Sequence, residues 1–324
     1  MPYLAHSDYR APGVFRNAHL NTIFPAVFRS VASLPTTRLT IPTPDGDFID
    51  TDWVRQGSSR LMIALHGLEG DANRPYMRGI LRIFHRAGWD VVGMNFRSCS
   101  GRMNERLRMY NMGESGDLRT VVQHAIGMGY GQIILTGFSL GGNVVLKYMG
   151  ESGRILPSEV KGAVAFSVPC DIPSANIAFS QPRNAIYLHR FLRTLNEKAR
   201  NKYHDFPGHL VLPASMPRNF GEFDAQFTGP MHGYAHAEDY WHSCSSVHFL
   251  PNIHRPVLLI NAQDDTFLQP PCFPVALASK HPWFYLETPA HGGHCGFYTR
   301  HPAGIYWHEQ RALDFVQEVC FGAG

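Results

Sequence analysis

Six short apolar runs recur along the chain, each bounded by Gly, Pro, Asn or Asp: LMIALHG (61–67), DVVGMNF (90–96), QIILTGF (132–138), GAVAFSV (162–168), PVLLINA (256–262) and WFYLET (283–288). Runs this continuous suit strands buried on both faces of a mostly parallel sheet. Upstream, TRLTIPTPDGDFIDTDWV reads as a hairpin with Asp45-Gly46 in its turn. Helix-period segments fill the gaps. Met77, Ile80, Leu81 and Phe84 share one helical face, as do Leu118, Val121, Val122 and Ala125, then Leu140, Val144 and Tyr148, and finally Leu313, Val316 and Cys320. The chain is therefore expected to form an α/β fold, an eight-stranded, mostly parallel sheet with helices on both faces.

One interval breaks this rhythm. From Asp171 to about Leu250 no strand is expected. A helical stretch, NAIYLHRFLRTLNEKARNKY, is followed by a Pro-, Gly- and aromatic-rich one. The expected organisation is a core domain over 1–170 and 251–324, with 171–250 inserted as a lid over the C-terminal sheet edge, where open α/β sheets bind ligands.

Composition excludes several function classes. With 44% hydrophobic and 17% charged residues, the 324-residue chain has the make-up of a globular protein. A net charge of +3 without a Lys/Arg block gives no nucleic-acid surface. No apolar run is long enough for a transmembrane segment, and MPYLAHSDYRAPGVF lacks a signal layout, so a soluble, cytoplasmic protein is expected. Six cysteines without a CxxC pair are expected as free thiols. There is no HExxH, and His291 and His294 of HGGH lie in a glycine loop, so no metal is expected. Nor is a cofactor, because GFSLGGN puts Asn143 where a phosphate-binding loop needs lysine.

The chemistry gathers at strand ends. Gly137-Phe138-Ser139-Leu140-Gly141 follows one buried strand and opens a helix, the context a nucleophile elbow demands. A serine hydroxyl needs a base to take its proton and a third group to hold that base. Further along, Asp264 and Asp265 end one strand, and His291 and His294 follow the last. This is the order Ser, Asp, His. Asp265 is the expected acid, since it sits further into its loop before Thr266-Phe267-Leu268, while Asp264 caps or braces that loop. His294, flanked by Gly292-Gly293 and Gly296-Phe297, is the expected base; His291 is expected as a loop hydrogen-bonder. The backbone N–H groups of Leu68 and Leu140 are the expected oxyanion donors. A histidine base predicts that kcat/KM falls below about pH 6.5.

Seven segments, NAHLNTIFP, LHGLEGDANRPY, NFRSCSG, GFSLGGNVVLKY, FDAQFTGPMHGY, LLINAQDDTFL and HGGHCGF, resemble in the same order the YheT-like family of α/β-hydrolases, which includes eukaryotic abhydrolase-domain lipases and esterases. The resemblance implies a serine hydrolase with Ser139, Asp265 and His294 as triad, acting on a small-molecule carboxylic ester with a short- to medium-chain acyl or lipid-type group. Two departures qualify it: Thr266 replaces the family's usual Pro, and the anchor helix of membrane-working members is not seen in this sequence. The same triad would serve a thioesterase or acyltransferase, and a non-catalytic α/β-hydrolase-fold binding protein is the alternative of another class.

Overall fold

In the computed structural model, which describes residues 3–4 and 6–322, one sheet carries nine strands. They are β1 (Tyr3–Leu4), β2 (Thr37–Pro42), β3 (Phe48–Val54), β4 (Arg60–Leu65), β5 (Asp90–Met94), β6 (Gln132–Phe138), β7 (Val160–Phe166), β8 (Val257–Ile260) and β9 (Phe284–Glu287), in the order β1-β9-β8-β7-β6-β4-β5-β3-β2. β2 and β3 form the antiparallel hairpin, with Gly46 at φ 75° in its turn, and β3 pairs antiparallel with β5. The other pairings are parallel. The expected count of eight is corrected to nine. β1 is two residues long, too short for any periodicity, and exists by pairing Tyr3 and Leu4 with Leu286 and Glu287 of β9.

The pleat explains why the strand runs are continuously apolar. Along β4, Leu61, Ile63 and Leu65 enter one core layer, while Met62 and Ala64 enter the other. Helices α1 (Ala18–Phe28), α2 (Pro75–Arg86), α3 (Ser115–Gly127) and α4 (Leu140–Ser152) precede β7. Leu118, Val121 and Val122 of α3 and Val144 and Tyr148 of α4 pack with the first layer. Met77, Ile80 and Phe84 of α2 pack with the second, as does the helix over Trp307–Phe315. Helices thus cover both faces. α4 is buried all round rather than along one stripe, because it lies beneath the insertion as well as on the sheet.

Between β7 and β8, the segment 171–250 holds no strand. It begins with α5 (Ile172–Phe179) and α6 (Ala185–Asp205), then continues in short turns before a helix over Ala237–Cys244. Leu192, Leu195 and Ala199 of α6 pack with Phe223, Phe227 and Met231, and with Met109 from the core, as a small separate cluster. Among the described residues no helix is long and apolar enough to cross a membrane.

Candidate active site

Ser139 stands between β6 and α4 with φ 53° and ψ −119°. Few residues with a side chain adopt that region, and its cost is characteristic of functional turns. Backbone bonds hold it there: Ser139 N–H donates to the Phe166 carbonyl at 2.8 Å, and Asn143 N–H donates to the Ser139 carbonyl at 3.0 Å. The flanking glycines are steric requirements. A Cβ on Gly137 would overlap the Gly141 carbonyl, and one on Gly141 would lie 2.5 Å from the His66 carbonyl oxygen. The fifth expected strand, β6 here, therefore does end in a tight corner with its serine held forward.

On the neighbouring strand ends, His294 Nδ1 lies 2.8 Å from Asp265 Oδ2. The Asp265 carboxylate is fully buried, and its other oxygen accepts the Phe267 N–H at 2.9 Å. The Phe267 ring packs 4.3 Å from the imidazole. Burial disfavours the imidazolium, but the Asp265 carboxylate, with the Cys295 sulfur beside it, more than offsets this, and the pKa of His294 is raised. Asp264 Oδ1 accepts the Gly293 N–H at 2.9 Å, bracing the histidine loop, while its other oxygen lies 3.4 Å from Nδ1 of the half-exposed His291. The two Asp and two His thus sort into one short buried pair and one looser outer pair. Among the described residues Ser139 Oγ makes no hydrogen bond to His294; both line the same two cavities.

The loop after β4 is locked from several sides. Phe96 N–H donates to His66 Nε2 at 3.1 Å, so Nδ1 carries the proton and donates to the Gly67 carbonyl at 2.7 Å. Burial lowers the pKa of His66 to about 4, so it is a neutral brace. Gly67 N–H donates to the Tyr76 hydroxyl at 3.0 Å. Among the described residues neither Leu68 N–H nor Leu140 N–H has a hydrogen-bond acceptor, and both residues line the cavity that Ser139 and His294 share.

That cavity, about 80 Å³, is lined chiefly by apolar side chains, including Phe179, Phe191 and Leu195 of the insertion. A second, of about 310 Å³, also reaches Ser139 and His294, and Thr22, Val27, Tyr187, Arg190 and Arg193 contribute to it. Three apolar side chains of segment 171–250, Leu195, Phe223 and Met231, belong to its own small cluster and also line the smaller cavity.

Several supporting residues escape sequence reasoning. Thr22 Oγ1 accepts the His294 N–H at 2.8 Å and donates to the Ala18 carbonyl at 2.7 Å. Ser167 Oγ accepts the Cys295 N–H, and Asn21 Oδ1 accepts the Tyr298 N–H. Asn143 of α4 donates to the carbonyls of Met112 and Cys244, tying the helix that follows Ser139 to the end of segment 171–250. The signal was a polar residue breaking an apolar pattern, as in Ser167 of GAVAFSV or Asn21-Thr22 of NAHLNTIFP. Thr22→Val, nearly isosteric, should leave the His294 N–H without its partner and cost about 1–3 kcal/mol. Thermal denaturation checks this, together with an expected fall in kcat of about tenfold.

The sequence matches a family described as the alpha/beta hydrolase fold over residues 60–300. It is 33% identical to the candidate esterase YheT of Escherichia coli over 93% of this chain and 91% of that one. It is 28% identical to phospholipase ABHD3 of Homo sapiens over 85% of this chain and 69% of the other. Among solved structures, the Pyrococcus furiosus esterase Pf2001 superposes with a TM-score of 0.60 at 17% identity, covering 90% of this chain and 97% of that one. With its elbow, its paired strand-end Asp and His, and these relatives, the chain belongs to the α/β-hydrolase fold family, among its esterase- and lipase-type members.

Proposed function

We propose that the protein is a serine esterase cleaving carboxylic esters through an acyl-enzyme. Ser139 attacks the acyl carbon, His294 takes its proton and then delivers it to the leaving alcohol, and Asp265 holds the imidazole with Nε2 turned to the reaction. The N–H groups of Leu68 and Leu140 receive the developing oxyanion. Water then attacks the acyl-enzyme with His294 again as base. The mechanism includes a side-chain adjustment that closes the Ser139–His294 hydrogen bond, as catalytic bonds tighten when substrate binds.

The observation that carries this reading is the 2.8 Å His294–Asp265 pair beside a serine held in elbow geometry, all facing one cavity junction. The smaller apolar cavity suits a short- to medium-chain acyl group, and the larger one the alcohol. Segment 171–250, whose side chains roof the smaller cavity, serves as the lid. Six free thiols fit a reducing compartment, and we place the protein in the cytoplasm.

A fluorophosphonate probe tests the assignment. Peptide mapping should find the adduct on Ser139, and labelling of a different serine would refute the elbow. Nitrophenyl esters of increasing acyl length should lose kcat/KM once the chain outgrows the smaller cavity, and matched thioesters separate ester from thioester cleavage.

A further inference from the structure

Helix α6 reaches down from the insertion through two lysines one turn apart on the same face. Lys202 is fully buried and its ammonium donates to the carbonyls of Asn104 and Arg106, anchoring the helix to the loop after β5. Lys198 has a different target. Its Nζ lies 2.8 Å from Glu69 Oε1 and 3.3 Å from Cys99 Sγ. Glu69 directly follows Leu68, and its backbone is held at φ 53°. Tyr110 completes the clamp: its hydroxyl donates to Glu69 Oε1 at 2.6 Å and accepts the Glu69 N–H at 3.1 Å.

The Glu69 and Lys198 side chains are only 7% and 15% exposed. Replacing such a buried ion pair by apolar groups is often neutral or stabilising, so net stability is a poor account of its presence; fixing one geometry is a better one. What it fixes is the peptide that matters for acyl transfer. Leu68 is held on its N-terminal side by His66 and Tyr76 acting on Gly67, and on its C-terminal side by Lys198 and Tyr110 acting on Glu69. Of these four clamps, Lys198 alone belongs to the insertion.

We propose that Lys198 is a positioning residue whose ion pair with Glu69 completes the oxyanion hole only while α6 is docked over the sheet. Substrate that enters with α6 lifted meets a nucleophile without its full set of donors, and acylation waits for closure. The inference rests on Leu68 as an oxyanion donor in the esterase reading above.

The test uses Lys198→Met, Glu69→Gln and the double variant of the full chain. Each is assayed on a short nitrophenyl ester, and against a trifluoromethyl ketone whose hemiketal oxyanion occupies the same hole. Each single variant should lose about tenfold or more in kcat with KM within about twofold, since removing one such donor outright costs about 10²–10³. Ketone affinity should weaken in proportion to kcat/KM. The double variant should recover the melting temperature but not the rate. Unchanged kcat and ketone affinity in a folded single variant, or full recovery of rate in the double, would overturn the proposal. Glu69→Gln keeps the side chain's shape and its Tyr110 partner, so it decides the matter if Lys198→Met does not fold. Failure of the parent to label at Ser139 would instead sink the esterase reading itself.

Discussion

Replacing Ser139 with alanine is expected to lower kcat on a nitrophenyl ester by about 10⁴- to 10⁶-fold, with the melting temperature essentially unchanged. On the proposed mechanism the rate falls because the hydroxyl that forms the acyl-enzyme is gone. The oxyanion donors and the binding cavities survive, which leaves residual acceleration over water. Stability should hardly change, since alanine keeps the Cβ already strained at φ 53° and the lost hydroxyl makes no hydrogen bond to His294. Measuring kcat and melting temperature on the same preparation separates a chemical loss from an unfolded protein. A variant within tenfold of the parent would remove Ser139 from the mechanism.

Asp265→Asn should be nearly as damaging, by about 10⁴ in kcat, because an amide at this position favours the wrong imidazole tautomer. It should also move the pH profile, and the sign follows from the geometry. His294 must be neutral to accept the serine proton, so activity is lost as pH falls through its folded-state pKa. Burial lowers that pKa, but the facing carboxylate of Asp265 and the neighbouring Cys295 sulfur together outweigh burial and raise it. In the parent, the acid limb of kcat/KM should therefore lie above the pH of about 6.5 expected of an ordinary histidine. Removing the charge at Asp265 leaves only the Cys295 sulfur to oppose burial, and the limb should shift to lower pH. Asp264→Asn, which touches the Gly293 N–H and not the inner imidazole, should leave the limb in place. An unmoved limb in Asp265→Asn would reassign the acid.

How much was legible in the sequence depends on how local each feature is. β4 to β9 announce themselves because each is apolar on both faces, and the elbow because its glycines are demanded by contacts within the same corner or with the adjacent strand end. β1 could not be read, since two residues become a strand only when β9 lies alongside. The roles of Thr22 and Lys198 were hidden for a related reason. Their partners lie 272 and 129 residues away, so a polar residue in an apolar pattern can be noticed at Thr22 while what it holds cannot be read from its neighbours in the chain.

The amino-acid order alone determined the layered α/β architecture, the tight corner at Ser139 and the set of strand ends from which acids and imidazoles emerge. Only tertiary structure decided which carboxylate faces which ring, with Asp265 and His294 at 2.8 Å and Asp264 and His291 at 3.4 Å, and that a lysine of the insertion holds the loop beside Ser139. Periodicity and backbone strain are properties of consecutive residues. Pairing across strand ends depends on how crossovers stack the sheet and on the angle at which each loop leaves it.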